Sequence, residues 1–221
     1  MQIIDKILSF PEVVERSREA ERTVLLLRHS MRRSLTPEDM DPGLTPDGAL
    51  YAEECGKLIA GMDDICFGSS PRRRCVETVE CLMRTGNYGA KEIASCPEII
   101  DDSLFENDRQ LTEAVAKGIV HELAHSYFTT GAAPGMLNLA DVHKNLLNYL
   151  TRTEFPERNV LLSTHDIVVT SLLIPLQVYP FVPDDWCGYI HGAALFLQNG
   201  KWQAAYTAPE GENRRRCAFF V

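Results

Sequence analysis

The seven cysteines, Cys55, Cys66, Cys75, Cys81, Cys96, Cys187 and Cys217, contain no CxxC pair and cannot all pair with one another. That argues against a disulfide framework or a zinc ribbon and for a reducing compartment. No apolar run approaches the ~20 residues that a membrane span needs. The start Met1-Gln2-Ile3-Ile4-Asp5-Lys6 lacks a basic region followed by a long apolar stretch, so no secretory signal is visible. These absences together give a cytoplasmic expectation with no membrane partner. Positive charge is also short: 22 Lys and Arg face 31 Asp and Glu, for a net charge of −9. A broad nucleic-acid surface is therefore not expected, although a local cationic pocket can sit inside an acidic protein. Internal repeats and low-complexity tracts are absent too.

What is present is an ordinary hydrophobic content of 45% in 221 residues. This suits a single domain over 1–221. Thr23 to Arg28 and Asn159 to Thr164 are nearly continuous apolar runs, as expected of strands covered on both faces. Asp64 to Ser69 is a second short strand, and 91–95 a weak one. Helices are expected at 3–20, from Thr45-Pro46 to about Ala60, from Ser70-Pro71 to Arg84, at 108–128, at 136–153, and from Ile167 to Leu176. Thr45 and Ser70 would act as caps, each followed by proline in the first turn. The helix after Thr45 is expected to turn Leu50, Cys55, Leu58 and Ile59 inward. Ala193 to Gln198 and Trp202 to Thr207 read as a hairpin around Asn199-Gly200. The alternation implies a three-layer α/β/α sandwich with a mostly parallel sheet, a late antiparallel edge hairpin and a short helical insert at about 100–155.

Both doubly apolar strands end in histidine, one in Arg28-His29-Ser30-Met31-Arg32 and the other in His165-Asp166. In open α/β sheets the ligand crevice lies beyond the C-terminal strand ends. His29, Ser70 and His165 therefore belong at one edge. Arg74 stands one turn into a helix whose free N–H groups would favour an anion. Arginine grips phosphate through paired, charge-assisted hydrogen bonds. The chemistry that fits is covalent. His29 attacks phosphorus, while Arg28, Arg32, Arg74 and His165 hold the equatorial oxygens. Asp166 gives a proton to the leaving group. Arg73, and with it Arg72, reads as solvated, as does Arg214-Arg215-Arg216. Arg33 reads as solvent-facing or substrate-selecting, and His191 as structural.

These segments resemble the histidine phosphatase superfamily, of phosphoglycerate mutase-like fold. Leu27-Arg28-His29-Ser30 is similar to its Arg-His-Gly signature, and Gly43-Leu44-Thr45-Pro46-Asp47-Gly48 to its Leu-Thr-x-x-Gly helix start. Ser70 to Thr78 resembles its second arginine segment, which implies a phosphate role for Arg74. Arg28-His29-x-x-Arg32 and His165-Asp166 look closer to the histidine acid phosphatase branch, in which the aspartate after the second histidine donates the proton. The mutase-like branch implies an upstream glutamate, so Glu106 is the fallback donor. Ser30 stands where glycine is usual, and Arg72 and Cys75 where leucine and alanine are commoner.

The resemblance implies a hydrolase that cleaves a small phosphate monoester through phosphohistidine. No metal or other cofactor is expected, and the partner is a phosphorylated small molecule. The alternatives are a phosphomutase of the same fold and a non-catalytic phosphate-ligand binder. A third arises from His121-Glu122-Leu123-Ala124-His125, a literal HExxH zinc-protease pattern. The extended form of that motif would want glycine at 128 and histidine at 131, where Phe128 and Gly131 stand. His143, Asp141 or Glu154 would have to serve as a third ligand from unpersuasive spacings. A plain helix is the better reading.

Overall fold

A computed structural model describes residues 1–36, 38–107, 109–152 and 155–217, without the side chains of 102 and 121. Seven strands form one sheet: β1 (Gln2–Ile3), β2 (Arg22–Arg28), β3 (Ile65–Ser69), β4 (Ile93–Ser95), β5 (Asn159–Thr164), β6 (Gly192–Gln198) and β7 (Lys201–Thr207). The order is β1-β7-β6-β2-β5-β3-β4. Strands β2, β5, β3 and β4 run parallel to one another, while β6 is antiparallel to both β2 and β7. The hairpin turns at Asn199 and Gly200, both at positive φ, as a tight two-residue turn requires.

The period of two explains why the central strands read as unbroken apolar runs. Leu25, Leu27, Phe67 and Leu161 pack on one face with residues of α1 (Phe10–Glu19), α2 (Pro46–Leu58) and α3 (Arg73–Thr85). Val24, Leu26, Val160 and Leu162 pack on the other with α6 (Leu139–Thr151) and α7 (Asp166–Leu173). Each central strand is covered on both sides, which completes the three layers. Two further helices, α4 (Arg109–Lys117) and α5 (Val120–Thr130), precede α6 between β4 and β5.

Several local expectations are corrected. Residues 2–3 are not helical but form an edge strand beside β7. The helix there starts only at Phe10, because Ser9 and Glu12 close a reciprocal capping box ahead of it. The expected helix over 108–128 breaks at Gly118, whose φ is +65°. In α2, Leu50 is 59% exposed and Leu58 37%, while Ala52, Cys55 and Ile59 are buried. Ser70 does not cap α3: that helix starts at Arg73, after Arg72, without a side-chain cap. Its first N–H donates instead to Asp41 Oδ1 at 2.8 Å. A carboxylate from the 29–41 loop thus occupies the helix start that had been expected to favour a phosphate.

Candidate active site

Register brings the two histidines together. Arg28 pairs with Thr164 across β2 and β5, and Ser69 pairs with Ser163 across β3 and β5. The His29 N–H donates to Thr164 O at 2.8 Å, and the Ser70 N–H to Ser163 O at 2.9 Å. Three adjacent strand ends therefore present His29, His165 and Ser70 side by side. The two imidazole rings meet edge to face, with centroids 5.5 Å apart.

His29 is buried, and its Nδ1 lies 2.7 Å from the Ser30 carbonyl oxygen. A carbonyl can only accept, so Nδ1 carries the proton and Nε2 keeps its lone pair. Burial, then the neighbouring Arg74, His165 and Arg28, push its pKa well below the usual histidine value. The ring is a neutral imidazole with a free nitrogen. Ser30, in the place of a glycine, points away from this edge: its N–H donates to Thr78 Oγ1 and its hydroxyl to Gly48 O.

His165 is likewise buried and held neutral, by burial first and then by Arg74. Its Nδ1 edge faces Arg74 Nη2 at 3.2 Å and Asp101 Oδ2 at 3.5 Å. Its Nε2 lies 3.0 Å from Ser70 Oγ. A hydroxyl both donates and accepts, so Ser70 can match either tautomer of the ring.

Asp101 is the residue that motif reading missed. Its Oδ2 accepts from Arg74 Nη2 at 2.6 Å and its Oδ1 from Arg72 Nε at 3.3 Å. Arg72 is therefore part of the cluster rather than solvated, whereas Arg73 is exposed and bonds Glu77, as expected. Arg74 itself is 1% exposed, and a guanidinium that deep requires a carboxylate. Asp101 follows β4, a fourth strand end at the same sheet edge. His165, Arg74 and Asp101 form a compact His/Arg/Asp triad.

Arg28 donates through Nη1 to Cys187 O at 2.6 Å and pairs through Nη2 with Asp166 Oδ2 at 3.2 Å. Its guanidinium lies 4.2 Å from the Tyr189 ring centre. Burial opposes its charge, but Asp166 and further neighbours raise its pKa overall. Arg32 reaches the same recess, with its pKa lowered by burial and by Arg74. The recess is about 770 Å³ including its open mouth, and Arg28, His29, Arg32, Arg74, Asp101, His165 and Asp166 all line it. Glu106 is exposed and absent from that lining, although its neighbour Phe105 contributes.

The remaining candidates fall elsewhere. His191 is buried, with Nδ1 2.8 Å from the Tyr206 hydroxyl. Arg33 is exposed. Arg214 is not a solvated tail residue: it is 9% exposed, bonds Asp185 and Tyr179, and lies over the Tyr206 ring. Within the HExxH segment, the His121 side chain lies outside the described residues, as does Glu154. His125 lines a larger groove of about 1030 Å³ with Phe128, Phe181 and Trp186, away from the strand-end histidines. Among the described residues no three His, Cys, Asp or Glu side chains converge as metal ligands, and no helix is long and apolar enough to cross a membrane.

A sequence model of the histidine phosphatase superfamily (branch 1) matches residues 24–181, which is most of the chain. The chain belongs to the histidine phosphatase superfamily. The His165-Arg74-Asp101 triad is of the acid-phosphatase type, on a chain matched by the branch 1 model. A probable phosphatase of Schizosaccharomyces pombe is 30% identical over 95 residues, spanning 41% of this chain and 31% of that protein. The matched stretch is thus about a third of that relative's length. A mycobacterial glucosyl-3-phosphoglycerate phosphatase shares the fold with a TM-score of 0.59 at 21% identity, over 84% of this chain and 98% of that one. A phosphoserine phosphatase of Entamoeba histolytica gives 0.57 at 18%, over 86% and 98%. A phosphoglycerate mutase of Bacillus anthracis gives 0.56 at 15%, over 86% and 95%. Both phosphatases and a mutase share this fold, so the fold leaves hydrolysis and transfer to be separated by the site. The residues assembled here are those of a phosphoryl-transfer site of the histidine phosphatase type.

Proposed function

We propose that the chain is a phosphatase that hydrolyses a small phosphate monoester through a phosphohistidine on His29. One observation carries this reading: a neutral, buried imidazole whose Nε2 lone pair is left free by the Nδ1 contact to Ser30 O, inside a cup of arginines. Nε2 attacks phosphorus and the ester P–O bond breaks. Arg28, Arg32 and Arg74, with His165 beside them, hold the three equatorial oxygens and offset the charge gathering there. Asp101 acts as a positioning residue, fixing Arg74 and the His165 ring.

The leaving alkoxide takes a proton from Asp166, which lines the recess. In the free site this carboxylate is ion-paired with Arg28. The proton it delivers therefore enters with the phosphate ester. Water then attacks the phosphohistidine, Asp166 accepts its proton, and inorganic phosphate leaves with His29 restored. Glu106, exposed and outside the recess lining, is the weaker donor candidate. A small phosphorylated metabolite in the cytoplasm is the corresponding substrate and setting.

The test is hydrolysis of an aryl phosphate. His29→Ala should abolish turnover, and a chelator should leave the wild-type rate unchanged. Asp166→Asn should slow esters with poor leaving groups far more than those with good ones. Wild-type turnover by the His29 variant, or loss of activity on chelation, would reject the mechanism.

A further inference from the structure

The recess is chemically two-sided. Its floor is the charged cup at the strand ends. Its walls, brought by the segment after β4, by α4, α5, the segment between α5 and α6, and the first turn of α7, include Phe105, Leu111, Val120, Leu123, Met136 and Ile167. Phe105, Leu111 and Met136 are each at most 8% exposed, and they form part of the same core as α6 and α7. Every charged side chain among the described lining residues is Arg28, Arg32, Arg74, Asp101 or Asp166. All of these belong to the phosphate cup or pair with it. Among the described lining residues the walls offer no cation for a second anionic group and no polar side chain for sugar hydroxyls. Such groups would lose water there without replacement.

We infer that the preferred substrate is a phosphate monoester with an apolar leaving group, alkyl or aryl, rather than a phosphorylated sugar or hydroxy acid. The inference rests on the phosphatase reading and adds the identity of the other half of the ester. The helices inserted between β4 and β5 then act as the specificity wall, while the strand ends supply the chemistry. On α5 the split is visible within one turn. Leu123 faces the recess, whereas His125 of the HExxH segment lines the groove behind it.

An alkyl series tests this with leaving groups of nearly constant basicity. From ethyl to butyl phosphate, kcat/KM should rise about fourfold per methylene, the factor expected of an added buried CH₂. Glycerol 3-phosphate and 3-phosphoglycerate should fall below ethyl phosphate. Leu123→Lys should flatten the series. A flat wild-type series, or a preference for 3-phosphoglycerate, would overturn the inference while leaving the phosphatase reading standing. If no ester is turned over, the phosphatase reading fails. Calorimetric binding of ethyl- to butylphosphonate then decides the wall by itself: tighter binding with chain length supports it, and equal binding rejects it.

Discussion

Thr45-Pro46 and Ser70-Pro71 look like the same device, a hydroxyl cap followed by proline, yet the fold uses them differently. Thr45 does cap: its Oγ1 accepts from the Gly48 N–H at 3.0 Å, and α2 starts at Pro46. Ser70 lies at a strand end facing the crevice, and its hydroxyl goes to His165. The start of α3 slips to Arg73, and Asp41 takes over the helix N–H from across a loop. A local capping signal is worth about 1 kcal/mol, small enough for a buried imidazole that needs a partner to redirect it. The two positions teach that local rules hold where the residue has no other duty, and yield at the site.

The comparison can be broken from the site side first. Asp101→Asn removes the carboxylate that holds Arg74 and faces His165, so kcat/KM for an aryl phosphate should fall about a hundredfold through misplacement of the cup. A steady-state assay across pH checks it, because a merely structural lesion would leave the profile's shape alone. Acid comes next. The pKa values of His29 and His165 lie well below 6.5, and that of His191 is pushed down to about 3, with burial the largest cause in each. Below about pH 6.5 the unfolded chain binds protons that the folded chain refuses, so stability falls as pH drops and levels off above. Each histidine should add a slope of about 1.4 kcal/mol per pH unit, readable by urea unfolding between pH 6.5 and 5. No change over that range would mean the imidazoles are not held neutral.

Ser70→Ala and Thr45→Ala give the direct contrast. The first should cut kcat/KM about tenfold, the worth of one buried hydrogen bond of about 1.4 kcal/mol, with little change in Tm. The second should cost about 1 kcal/mol of stability and leave kcat/KM unchanged. Equal losses of stability with no rate effect in Ser70→Ala would return Ser70 to the role of an ordinary cap.

The same contrast explains what the chain disclosed before folding. Strands β2, β3 and β5 were legible because double burial writes them as apolar runs, and the Asn199-Gly200 turn because few pairs accept two positive φ angles. That His29, His165, Arg28, Arg32 and Asp166 line one recess was legible because strand ends in register can share one edge, and Arg74 reaches it from the helix that follows a third. Asp101 was not, since it sits in an unpatterned turn and its partner Arg74 is 27 residues away. The signal that could have found it is the deep arginine itself, which demands a carboxylate from a neighbouring strand end. Arg214 misled for a similar reason. A triple arginine looks solvated until Asp185 and Tyr179, brought in by tertiary folding, claim one member of it.

The central claim is that His29 Nε2 forms the covalent bond to phosphorus. Rapid quenching of the enzyme during turnover of an aryl phosphate, followed by peptide mapping at alkaline pH, reads this directly. A phosphoryl group on His29 that is labile in acid and appears before product phosphate is the result this account predicts. Full turnover with His29 unmodified, or with the phosphoryl group on another side chain, would contradict it.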